Sequence, residues 1–141
     1  MKDLFKKIFI VLVISFYSTN ISSAATFNWT YASKAKDGSF ELHYDKKTVF
    51  QLGDKTFFWQ MTNNFKEINN NVYSTIIHNM VKCETYEVKA LIYVDFERPM
   101  GRGSPTTEAI VPVDFPDYHK WIYYDKNNTV QGQVLSEICV N

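Results

Sequence analysis

Tyr86-Glu87-Val88-Lys89-Ala90-Leu91-Ile92-Tyr93-Val94-Asp95-Phe96-Glu97 sets the class of the fold. Tyr86, Val88, Ala90, Ile92, Val94 and Phe96 fall on one parity, and Glu87, Lys89, Asp95 and Glu97 on the other. A period of two sustained over this length describes a strand with one face on a core and one in water. The same period runs through the chain upstream. Phe27, Trp29 and Tyr31 share a parity, and Phe40, Leu42 and Tyr44 share another after the Asp37-Gly38 turn. Asp45-Lys46-Lys47 turns into a short strand over 48–52, and Gly53-Asp54 turns into 55–62, where Phe57, Trp59 and Met61 face one way. Short runs joined by tight turns predict an antiparallel meander.

Downstream the pattern is less uniform. The asparagine-rich stretch 63–71 reads as a loop. Residues 72–83 carry Val72, Ile76, Met80 and Cys83 at helical spacing, yet their β-branched content assigns them to a strand. All four prolines (99, 105, 112 and 116) lie in 99–116, together with Gly101 and Gly103, which excludes a central strand and predicts a long loop. Residues 120–124 form one more short strand. Val130, Val134 and Ile138 then recur at helical spacing, with Asn128 and Gln131 placed as a capping pair and Gly132 weakening the helix. The expected fold is α+β: an antiparallel sheet of five to six strands with a C-terminal helix packed on one face.

The first 25 residues read as an export leader. Lys2, Lys6 and Lys7 precede an apolar run over 8–17, and Ser22-Ser23-Ala24-Ala25 supplies small residues for cleavage after Ala24 or Ala25. The run is about half of the ~20 residues a membrane helix needs, so no stable membrane anchor is expected. A single domain over 26–141 remains, periplasmic or secreted. With no cysteine after the cleavage region, no lipid-accepting position follows it. Basic and acidic side chains balance at 15 each, and removal of the leader leaves a slight acidic excess. Nucleic acid is therefore not an expected partner. In an oxidising compartment Cys83 and Cys139, too far apart for a Cys-x-x-Cys redox site, are expected to form one disulfide.

Chemistry-bearing patterns are sparse. His43, His78 and His119 show no metal-ligand spacing, although His43 and Asp45 share a strand face. Asp95 and Glu97 read as charges on a solvent face. There is no Gly-x-Ser-x-Gly elbow, and Gly101-Arg102-Gly103-Ser104 lacks the lysine of a phosphate loop. No catalytic residue, metal or cofactor is expected. With 3 Trp, 9 Tyr and 11 Phe, the chain carries more aromatic side chains than one sheet face buries. Phe58, Tyr73, Tyr93 and Tyr124 fall on the other parity or near strand ends and are candidate exposed anchors for a protein partner. Met100, Gly101, Arg102, Gly103 and Ser104 form the candidate binding loop.

The order of these features resembles the surface-adhesin protein E family of Gram-negative bacteria. Trp29, Asp37-Gly38-Ser39-Phe40, Tyr44-Asp45, Leu52-Gly53, Phe58-Trp59, Cys83, Met100-Gly101-Arg102-Gly103, Trp121 and Val134-Leu135-Ser136-Glu137-Ile138-Cys139 carry the resemblance. It implies a non-enzymatic module that binds host matrix or plasma proteins, in a form compatible with a homodimer. The named adhesin is a lipoprotein, and this chain departs from it in lacking the lipid-accepting cysteine. The features fit equally a periplasmic inhibitor or immunity protein that binds a secreted toxin or enzyme.

Overall fold

The computed structural model describes residues 26–68, 71–110 and 120–140. The leader over 1–25, residues 69–70 of the expected 63–71 loop, and 111–119, which holds the end of the expected 99–116 loop, lie outside the described residues. The described residues form one antiparallel sheet of eight strands and one α-helix. The strands are β1 (Trp29–Lys34), β2 (Phe40–Asp45), β3 (Phe50–Leu52), β4 (Lys55–Ile68), β5 (Val72–Lys82), β6 (Glu87–Arg98), β7 (Arg102–Ile110) and β8 (Ile122–Tyr123), followed by α1 (Val130–Ile138). The order β1-β2-β4-β5-β6-β7 makes the main sheet. The short β3 continues the β2 side of β4, and β8 pairs with the start of β6. The six long strands match the expected sheet.

α1 seals one face only. Val134 and Leu135 are fully buried against Leu42, Tyr44, Phe58, Val81 and Val88. Polar clamps fix the seat: Ser33 Oγ donates to Val130 O (2.9 Å), Tyr44 Oη to Glu137 Oε2 (3.0 Å), and the amides of Gln60 and Gln131 exchange two bonds of 2.9 and 2.7 Å. Cys139, just past the helix, is bonded to Cys83, just past β5, with a Cα–Cα separation of 5.3 Å. The expected disulfide is present.

The cap falls one residue later than the Asn128–Gln131 pair. Thr129 Oγ1 accepts the Gly132 N–H (2.9 Å), while Asn128 Nδ2 donates to the Asp125 carboxylate. A Cβ on Gly132 would lie 2.1 Å from Asp125 O. This glycine is kept by a close backbone approach.

Three strand assignments change. The 63–71 stretch is not all loop, because β4 runs on to Ile68 and the chain turns at Asn71, where φ is 66°. Asn63 and Asn64 are buried there. The 99–116 stretch is not all loop either. After a tight turn at Pro99–Gly101 the chain returns as β7, paired with β6 at the sheet edge. An edge strand tolerates Pro105 because its missing N–H is needed on one side only. Third, β6 changes face midway. Its register with β5 steps from His78↔Ile92 to Asn79↔Ala90, leaving Leu91 unopposed as a bulge. A bulge reverses parity, so Val88 and Ala90 face the helix side while Ile92, Val94 and Phe96 face away from it.

Candidate binding surface

The face turned away from α1 carries the aromatic load. Across β2, β4, β5 and β6 the registers align His43, Met61, Ile76 and Val94 in one row, and Trp59, His78 and Ile92 in the next. Phe27 stacks on Trp29 (4.7 Å between ring centroids) and meets Trp59 (5.4 Å), which stacks on His78 (4.6 Å). Phe57 lies 6.1 Å from His78 and stacks on Phe50 (5.0 Å). Six rings from four strands and the segment before β1 thus form a continuous row, with Tyr31 edge-on to His43 beside it. Tyr31 is 55% exposed and Phe50 51%. Beyond Phe57, the Lys55, Lys82 and Lys89 ammonium groups lie 4.1–5.9 Å from the Trp121 ring. Lys82 and Lys89, on paired strands, belong to that same face. All three tryptophans therefore gather on the helix-free side.

The opposite end of this face is closed by the Pro99–Gly101 turn. Met100 N–H donates to Asn63 Oδ1 (2.8 Å) and Gly101 N–H to Ser74 Oγ (2.9 Å), whose hydroxyl donates in turn to Arg98 O. A Cβ on Gly101 would lie 2.8 Å from Ile76 Cδ1, and both Met100 and Gly101 hold positive φ. Met61 and Ile76 are buried beneath them. Met100 and Gly101 are thus packed into the fold, whereas Arg102, Gly103 and Ser104 are exposed at the start of β7.

The candidate anchors fare differently. Phe58 is not exposed: it is 0% accessible, under α1 at the centre of the core. The helix covers the parity that holds Phe58, so Phe57 and Trp59 take the open face. Tyr73 and Tyr93 point to the helix side and are half-buried. Tyr124 is half-buried against the core, its N–H bonded to Tyr86 O (3.0 Å), and burial raises its pKa above the ordinary 10.

His43 and Asp45 do not assemble a metal site. Asp45 accepts the Asn28 and Lys47 N–H groups (3.0 and 2.9 Å), and His43 Nε2 meets Glu41 Oε1 at 2.9 Å. Burial of Glu41 raises its pKa, but the bonds from His43 and Asn63 outweigh this and hold it below the ordinary 4.5. Among the described residues no three His, Cys, Asp or Glu side chains converge on a common centre. None of their helices is long and apolar enough to cross a membrane.

The parity of β4 misleads about the core, because its apolar set, Phe57, Trp59 and Met61, faces away from the helix while Phe58 is buried under it beside Thr56, Gln60 and Thr62. The signal available was the single short helix, which has length enough to cover only one side.

The described residues thus form a one-helix sheet with a row of aromatic rings on its helix-free face, and it is the family match that gives its class, an adhesin-like protein. Residues 29–140 match the surface-adhesin protein E family, and the chain belongs to it. Three structures of Haemophilus influenzae protein E are similar in fold. Crystal form II aligns with a TM-score of 0.54 at 12% identity, covering 82% of this chain and 91% of that one. A second aligns equally well, covering 88% of that chain. The structure of protein E from non-typeable H. influenzae gives 0.52 at 10% identity, covering 82% and 79%. No curated protein sequence matches significantly.

Proposed function

We propose that this chain is an exported, non-enzymatic module that holds a host matrix or plasma protein on the helix-free face of its sheet. The aromatic row from Trp29 to Phe50 carries the reading. Large rigid rings held in place by their neighbours give contact area at little entropic cost, and Trp and Tyr dominate binding energy in protein interfaces. Family membership supports the adhesin class. In this proposal residues 1–25 direct export and are removed after Ala24 or Ala25, releasing a periplasmic or secreted protein. Exposed Arg102, Gly103 and Ser104, next to the turn that closes the face, add polar contacts at its rim.

The test is binding to a panel of immobilised matrix and plasma proteins by the wild type and by a Tyr31→Ser/Phe50→Ser double variant. Both positions are more than half exposed, so the melting temperature should hold while affinity for the bound protein falls about tenfold or more. Equal binding by the two proteins refutes the assignment of this face. Capture of a bacterial secreted toxin or enzyme, with no host protein bound, replaces the proposal with the inhibitor reading.

A further inference from the structure

The helix side of the sheet is only partly covered, and its free end holds an unmet donor. α1 reaches along β4 as far as Gln60. Past it, a cavity of about 560 Å³ is lined by Phe40, Thr62, Asn64, Phe65, Lys66 and Ile68, among others. Phe40 and Thr62 also line a second cavity of about 400 Å³ that reaches Ile77 and Tyr124. The two form one groove with largely apolar walls. Ile68 is 47% exposed on its wall, while Phe65, at its edge, carries the Lys34 ammonium over its ring at 4.5 Å.

Asn64 is 7% exposed, and its Nδ2 is shut off from water without any hydrogen-bond partner. Such a donor is unfavourable until an acceptor reaches it. Asn64 is among the residues that line the groove, and its terminal torsion is soft.

Beside the same groove lies an open strand edge. The ladder between β2 and β4 ends at Phe40↔Asn64, with one further bond from Phe65 N–H to Ser39 O (3.1 Å). The chain before β2 turns away through Asp37-Gly38-Ser39, bridged by the Asp37 carboxylate to the Ser39 N–H and hydroxyl. Among the described residues no strand pairs with Lys66, Glu67 or Ile68 on that side.

We infer that this groove binds an extended, uncharged peptide segment, which adds a strand along the free edge of β4. A peptide carbonyl accepts from Asn64 Nδ2, and alternate apolar side chains settle on Phe40 and Ile68. Strand addition of this kind takes affinity from main-chain bonds and specificity from the side-chain pockets. The groove is on the opposite side of the sheet from the aromatic row, so the site is independent of the proposed function above.

The probe is a seven-residue peptide of alternating valine and threonine with blocked ends, titrated into the 15N-labelled disulfide-bonded protein. Shifts should concentrate at Phe40, Thr62, Phe65 to Ile68 and the Asn64 side-chain amide. A control peptide with a central proline, which lacks one main-chain donor, should bind about fivefold to tenfold more weakly. Asn64→Leu should weaken binding to a similar degree, and Ile68→Ser, at an exposed wall position, provides a second variant if the first fails to fold. Shifts confined to the aromatic face, no shifts at millimolar peptide, or equal binding of the proline control would each overturn the proposal.

Discussion

Replacing both Cys83 and Cys139 by serine removes the one covalent link between the sheet and α1. The bond closes a loop spanning a sequence separation of 56 residues. Cross-linking a loop of that size removes chain entropy from the unfolded state equivalent to about 4 kcal/mol at 25 °C. The helix adds leverage, because nine residues do not hold a helix on their own in water. Its seat survives in the variant through Val134, Leu135 and the polar clamps to Ser33, Tyr44 and Gln60. The folded state should therefore persist, with a melting temperature lower by about 15 °C. Urea unfolding followed by circular dichroism gives the second readout. An unfolded chain freed of its cross-link exposes more surface, so the slope of stability against urea should steepen. A melting temperature within about 2 °C of the wild type at unchanged slope would refute the reasoning.

Three other outcomes test the packing. Phe58→Ala, at the buried centre, should cost about 3–5 kcal/mol, whereas Phe50→Ala at the open face should change stability by only about 0.5 kcal/mol; urea denaturation of each measures both. Gly132→Ala should lower stability by about 1–3 kcal/mol despite alanine's helix preference, since its Cβ would meet Asp125 O at 2.1 Å and the backbone must shift; a rise in melting temperature would contradict the close approach. Burial holds the His78 pKa below the ordinary 6.5, so the unfolded chain binds the proton more readily. The stability from this group is present above pH 6.5 and lost as pH falls toward its folded pKa; melting scans from pH 7.5 to 5 should show the decline, and His78→Gln should flatten it.

The meander, the C-terminal helix and the sulfur bridge were readable in the sequence because each has a local signature: parity, period 3.6, or two cysteines in a chain whose first residues read as an export leader. The faces were less readable. Phe57, Trp59 and Met61 are the more apolar parity of β4, yet the docked helix makes the core on the other parity, where Phe58 sits between Thr56 and Gln60. Met61 is buried on the far side by the Pro99–Gly101 turn, a contact between residues almost forty positions apart. The bulge at Leu91 breaks the parity of the clearest strand with no glycine or proline to announce it. Prolines correctly excluded a central strand, yet β7 exists at the edge, where Pro105 is tolerated. The asparagine run that read as loop instead supplies Asn63 as the anchor of that turn. The aromatic row follows from strand order, which assembles Phe27, Trp59, His78 and Phe50 from distant segments.

The reciprocal amide pair between Gln60 and Gln131 also bears on how the two sulfurs are held together. Two bonds in opposite directions accept a single rotational setting of α1, since a turn of the helix in either sense breaks both. In that setting the sulfur following Ile138 lies beside its mate just past β5, so the helix seat and the covalent bond call for the same docking geometry.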